Sequence, residues 1–323
     1  MNWFDSSCRL KSQELNRGKR DQLESSMLKR GKMVAIRTWP EIQTTLDENG
    51  TVEGLPFMPE MLKYCGQQFQ VRKRIHFACV EQHGYRRFHN IVSLDSLRCS
   101  GEYHDGCKRA CDLFWKETWL SEDKPSLNFR DSILEPSHDF PFSVRDAWGE
   151  KYYCQSTQLQ QSSSTLRSVD KPALLYKEFI SRNQNFHELT CNVVRFVFAK
   201  AVERLSGRTL RRKKGTLQRT PTFSLALKAG ERVRIKEMRD IIQTLDRHGR
   251  NQGLDFSPEM YQYCGREALV KDQLDRIIVE SSGEMRILKN TVLLENITCE
   301  GRCNLGCPRE NYHFWREIWL EKI

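Results

Sequence analysis

The chain has 323 residues, enough for two or three domains that each bury a core. Lys and Arg number 52 against 42 Asp and Glu, a net charge of +10 that draws a folded protein toward polyanions or anionic surfaces. No stretch has the apolar length of a secretory signal or of a bilayer-crossing helix, which needs roughly 20 apolar residues; a membrane-spanning class is excluded.

Residues 1–31 alternate charges with few apolar side chains and read as a polar extension. The first structured unit, 32–121, opens on a strand-like alternation, Met33 to Arg37. Apolar residues spaced three and four apart from Pro40 to Leu46 then predict a helical turn, ended by Asp47 to Gly50. The block Gly54-Leu55-Pro56-Phe57-Met58-Pro59-Glu60-Met61, closing on Tyr64-Cys65-Gly66, predicts a turn fixed by proline. A hairpin around His83-Gly84 follows, then a cysteine-bearing loop, then Phe114-Trp115-Lys116-Glu117 with Trp119-Leu120, where tryptophans four apart predict one face of a helix. Residues 122–170 read as linker, with Pro125, Pro136, Pro141 and a polar run from Gln158 to Ser164. The unit 171–207 is helical: Asp170 can cap it, Pro172 suits its first turn, and Asn183 to Asn185 breaks it. It resumes with Phe186, Leu189, Val193, Val197, Ala201 and Leu205 on one face, and Gly207 ends it.

Residues 208–228 form a basic linker in which Arg208, Arg211, Arg212, Lys213, Lys214 and Arg219 run without an acid. From 229 to 323 the first unit returns. Gly253-Leu254-Asp255-Phe256-Ser257-Pro258-Glu259-Met260, with Tyr263-Cys264-Gly265, repeats the first block at an interval of 199. Phe314-Trp315-Arg316-Glu317 with Trp319-Leu320 repeats the last at 200, so one residue was gained inside a copy. Four or five short strands and one helical turn per copy predict an α+β chain of two small SH3-like barrels joined by a helical middle segment.

The first block with Tyr64-Cys65-Gly66, the Cys99, His104, Cys107, Cys111 loop and Phe114-Trp115-Lys116-Glu117 resemble a family of uncharacterised bacterial proteins. Tyr153-Cys154-Gln155-Ser156-Thr157, Cys307-Pro308-Arg309 and Trp315-Arg316-Glu317 extend the resemblance over most of the chain, while Cys303 departs from the family pattern. The resemblance implies the tandem architecture and no reaction.

Twelve cysteines without an export signal point to a reducing, cytoplasmic setting, where clustered thiols act as ligands or catalysts. Cys99, His104, Cys107 and Cys111 offer the thiolates and imidazole that zinc prefers, with Cys65 as a further donor. Their intervals of seven and three residues between cysteines are not the usual two-residue knuckle. In the second copy Cys299, Cys303 and Cys307 need a fourth partner, for which Cys264 is placed; four thiolates would also suit an iron-sulfur cluster. The competing reading makes these buried small apolar side chains or a disulfide pair. Cys65 and Cys264 as nucleophiles would need a base, and His248 and His313 are not in step with any first-copy histidine. Glu60 and Glu259 offer general bases but read first as turn caps, and the tryptophans read as core ahead of a peptide-binding groove of exposed aromatics. The basic run is a linker, a phosphate-binding patch for nucleic acid, or, behind an apolar helix, an anchor peripheral to an anionic membrane. The expected function is therefore non-enzymatic binding or scaffolding for an unknown protein partner, with zinc stiffening at least the first copy. An iron-sulfur redox protein or enzyme is the first alternative, and nucleic-acid or membrane association the second.

Overall fold

The computed structural model describes residues 27–123, 140–146, 148–167, 170–206, 212–301 and 306–323. The first module runs β1 (Met33–Ile36), α1 (Trp39–Gln43), β2 (Thr51–Val52), β3 (Leu55–Pro56), a 3-10 turn (Pro59–Tyr64), β4 (Gln68–Arg74), β5 (Phe77–Val80), β6 (Gly84–Arg87), β7 (Ile91–Arg98), β8 (Asp112–Lys116), a second 3-10 turn (Glu117–Trp119) and β9 (Leu120–Ser121). Local chemistry sets these boundaries. The Glu41 carboxylate accepts the N–H and hydroxyl of Thr38 at 2.9 and 2.7 Å, which closes the start of α1. Asp47 accepts from the N–H and hydroxyl of Thr51 at 2.8 and 2.6 Å and holds the turn into β2. Five strands form an antiparallel sheet in the order β8-β7-β4-β1-β9. The last strand pairs with the first, Ile36 opposite Leu120, which ties the two ends of the module together.

The helix expected around Trp115 and Trp119 is instead strand β8 running into the second 3-10 turn. Strand β7 needs a partner for its backbone, and pairing of Val92 with Trp115 supplies it, which outweighs the four-residue spacing. Both tryptophans remain in the core, fully buried, with Phe57 edge-on to them at 6.1 and 5.3 Å. The Trp119 indole donates to the Thr45 hydroxyl at 3.1 Å.

The middle segment contributes α2 (Gln155–Gln158), β10 (Ser164–Thr165), α3 (Lys171–Ile180) and α4 (Phe186–Ser206). The second module then repeats the first: β11 (Arg232–Ile235), α5 (Met238–Ile242), β12 (Arg250–Asn251), β13 (Leu254–Asp255), a 3-10 turn (Pro258–Tyr263), β14 (Glu267–Gln273), β15 (Arg276–Ile278), β16 (Met285–Ile287), β17 (Thr291–Thr298), β18 (Tyr312–Arg316), a 3-10 turn (Glu317–Trp319) and β19 (Leu320–Lys322). Its sheet order is β18-β17-β14-β11-β19. Trp319 donates to Thr244 at 3.0 Å, as Trp119 does to Thr45. The gained residue sits in the β15–β16 turn. Left-handed backbone recurs before it at Glu53 and Gln252, 199 apart, and after it at Asn90 and Asn290, 200 apart.

Much of the segment read as linker is folded onto the first module. Cys154 and Leu159 lie in its core. The Gln155 amide accepts from the Phe114 N–H at 2.8 Å and donates to the carbonyls of Phe114 and Pro56 at 2.8 and 3.0 Å. Asn183, in the break between α3 and α4, does the same to Arg74, accepting from its N–H at 2.9 Å and donating to its carbonyl at 2.6 Å. Asp170 stands before α3, but its carboxylate turns back to the Arg167 N–H at 3.2 Å instead of capping the helix. Helix α4 leaves Phe186, Val194, Val197, Phe198 and Leu205 exposed. No helix of the described residues is long and apolar enough to cross a membrane.

The modules grip each other reciprocally. Cys107 Sγ accepts from the N–H of Ile278, and Cys307 Sγ from the N–H of Cys79, both at 3.4 Å. Arg109 donates to the Ile278 carbonyl at 3.0 Å and Arg309 to the Cys79 carbonyl at 2.7 Å.

Candidate functional site

Two pieces of the first module build one cluster. Pro59 starts the 3-10 turn with its missing donor at no cost, and Glu60 follows it, turned inward. The loop between β7 and β8 begins where the Cys99 N–H donates to the Cys111 carbonyl at 2.8 Å. The Gly101 carbonyl then accepts from the N–H groups of His104 and Gly106 at 2.9 and 3.0 Å, folding the loop back. Gly101 is required: its φ is +74°, and a Cβ there would lie 1.9 Å from the Cys107 carbonyl oxygen.

One ligand atom each from Glu60, Cys99 and His104 lies within 4.8 Å of the others. Cys99 Sγ is 4.0 Å from His104 Nδ1. Both Glu60 carboxylate oxygens and His104 Nε2 are buried without a well-formed hydrogen bond among the described residues, with the Cys99 thiol beside the carboxylate and the Tyr153 backbone beside the imidazole. Such atoms are rare in folded proteins because desolvation is uncompensated. Burial pushes the Cys99 thiol well above its usual range, reinforced by the Glu60 carboxylate beside it. Burial also lowers the His104 imidazole, against the pull of Glu60, so it stays neutral and able to ligate. Carboxylate, thiolate and neutral imidazole are zinc donors, and a divalent cation held by one atom from each would offset the buried Glu60 charge. Cys107, Cys111 and Cys154 line the same cavity of about 30 Å³, room for about two waters by volume.

The other expected ligands are dispersed. Cys107 faces Ile278 of the second module, as described, and Cys111 lines the cavity outside the three-residue group. Cys65 packs against the first core, its thiol pushed up to about 12 by burial. Cys264 is half-buried against the second core and rises to about 11 by burial and the nearby Glu237. The Cys299 N–H bonds the Asn311 carbonyl at 2.8 Å, repeating the Cys99–Cys111 contact. Cys303 lies outside the described residues. Cys307 is buried in the first module's core, and the thiol of Cys79, hydrogen-bonded to it, holds it below the usual thiol range.

Of the basic run, Arg208 and Arg211 lie outside the described residues. Arg212 is paired with Asp255 at 3.0 Å, and the Lys213 N–H donates to the Tyr261 hydroxyl at 2.6 Å. Lys214 is exposed, and the Gly215 N–H bonds the Asp246 carbonyl at 2.9 Å, so this stretch is strapped along the second module.

Comparison with protein-family models, curated proteins and solved structures gave no match. The chemistry of the site rests on its geometry.

Sequence reasoning missed two participants. Glu60 caps nothing; its side chain faces Cys99 and His104, and its duplication as Glu259, also buried, was the available signal. Glu280 was not singled out at all. It sits between the modules and accepts from Arg309 at 3.0 and 2.6 Å, Arg109 at 3.3 Å, the Ser156 hydroxyl at 3.1 Å and the Glu81 N–H at 2.9 Å. Burial would raise its carboxyl, but the two guanidiniums and the N–H hold it below the usual range.

Proposed function

We propose that the chain is a non-enzymatic binding or scaffold protein of two SH3-like barrels, the first stiffened by zinc held by Glu60, Cys99 and His104. The buried atoms of Glu60 and His104 without a well-formed hydrogen bond, within ligand distance of Cys99, carry this reading. An ion there ties the β7–β8 loop to the Pro59–Tyr64 turn, two segments that meet through no strand pairing. The cavity is too small for an organic substrate, which favours a structural ion, and Cys111 or Cys154 supplies a thiol for a fourth position. The SH3-like reading is supported by the strand order, in which a 3-10 turn precedes a last strand that returns to the first. Free thiols in such number suit a cytoplasmic location. An iron-sulfur cluster is less well supported, since the group contains one thiolate where four are needed. Contact with nucleic acid or an anionic membrane through the basic run is weakened by the engagement of Arg212 with Asp255.

Elemental analysis of the purified chain tests the proposal. About one zinc per chain is expected, lost in Glu60→Gln and Cys99→Ser and kept in Cys65→Ser. Metal-free wild-type protein, or zinc indifferent to Glu60→Gln, would overturn it.

A further inference from the structure

The two modules differ in what crosses one face. In the first, residues 155–165 traverse it at three points. Gln155 pairs with the Phe114 backbone on β8. The backbone at Gln161 and Ser162 passes over Gly54, where a Cβ would lie 3.1 Å from the Gln161 carbonyl. Ser164 and Thr165 then add β10 to the outer side of β6, opposite Arg87 and Arg86.

The counterparts in the second module carry no such crossing segment among the described residues, although Arg212 and Thr220 reach the neighbouring Asp255 and Gln252. Strand β16 pairs with β15 alone. A Cβ on Gly253 would meet nothing within 4 Å. Ile287, which holds the place of Arg87, is 64% exposed, and Leu254 and Asp255 are half-buried where Leu55 and Pro56 are buried. Phe314 stands where Phe114 does, and among the described residues no side-chain amide reaches its backbone.

We infer that this face of the second module docks an extended, uncharged peptide segment of a partner protein. The segment carries a glutamine or asparagine for Phe314 and, several residues on, a short polar strand for β16. The inference rests on the reading of the modules as binding domains and specifies what the second one binds. The first module defines the occupant: Cys154 to Thr165 contains no charged residue, and it is held by backbone pairing, the Gln155 amide, the buried Leu159 and hydrogen bonds from Arg86 to Gln160 and Ser163. Strand addition of this kind draws affinity from main-chain hydrogen bonds, and an uncovered edge bearing an exposed isoleucine is a template for it. A second copy of this chain does not supply the segment, because Gln155 and β10 are engaged by their own first module.

The test is a titration of a fluorescein-labelled synthetic peptide of residues 153–166 with the full chain, followed by fluorescence anisotropy. Saturation at one peptide per chain is expected. Affinity should fall at least about tenfold for Ile287→Lys, and by a similar factor when the peptide's glutamine at position 155 becomes alanine, while Leu205→Ala at an exposed position of α4 leaves it unchanged. No saturation at about 1 mM peptide, binding indifferent to Ile287→Lys, or equal loss in Leu205→Ala would overturn the inference. Zinc content measured on the same samples keeps this outcome separate from the metal reading.

Discussion

Taking a carboxylate out of water costs several kcal/mol unless donors replace the lost hydration, and Glu280, Glu178 and Glu60 meet that cost differently. Glu280 is surrounded by two arginines, a hydroxyl and an N–H. Glu280→Ala should therefore destabilise the protein by about 3–5 kcal/mol, because Arg309 stays buried without its partner; urea unfolding measures it. Glu178 accepts from Asn183 at 3.0 Å, yet one of its oxygens has no partner, and burial pushes its carboxyl up to about 7. A carboxyl raised in the folded state binds its proton more tightly there, so it costs stability as pH climbs from about 4.5 through 7. Glu178→Gln should raise stability at pH 8 by roughly 3 kcal/mol and leave it unchanged near pH 4, a contrast that thermal melts at the two pH values would reveal. Glu60 has neither arrangement. The sequence suggested a turn cap there because Pro-Glu opens many turns; only the folding of a loop some forty residues away against it shows which way the side chain faces.

Side-chain amides replace strands at two places. Gln155 and Asn183 each give one donor and one acceptor to a backbone N–H and C=O that the sheet leaves open. Gln155→Ala should cost about 2 kcal/mol or more through unpaired buried groups, and elastase should then cut within 155–166 faster than in wild type. A polar run used this way carries no periodic signature, so Gln158 to Ser164 looked like linker. The strands and turns of the two copies, by contrast, were legible from apolar alternation and from proline and glycine, while the tryptophan spacing misled because four residues also separate a strand position from the 3-10 turn that follows it.

At the scale of the molecule, the duplication and its offset of 199 and 200 could be read directly, whereas contacts such as Cys307 with Cys79 join residues that no local pattern relates. Burial lowers His76 to about 3 and His313 to about 4. The unfolded chain thus takes up these protons first, and stability should fall as pH drops below about 6.5. Glu178 opposes this with a single proton, so the two histidines decide the sign. A urea-midpoint series from pH 8 to 5 should show the loss, with a shallower fall in His313→Phe. The exchanged thiols and arginines of the module boundary have the form of an isologous contact, residue i on j and j on i, which is how the subunits of a symmetric dimer meet. Joined in one polypeptide, such subunits no longer depend on concentration to assemble, and their ratio is fixed at one to one. Neither is then bound to stay identical to its twin: one half can keep its own segment in its groove while the other leaves the matching groove to a visitor.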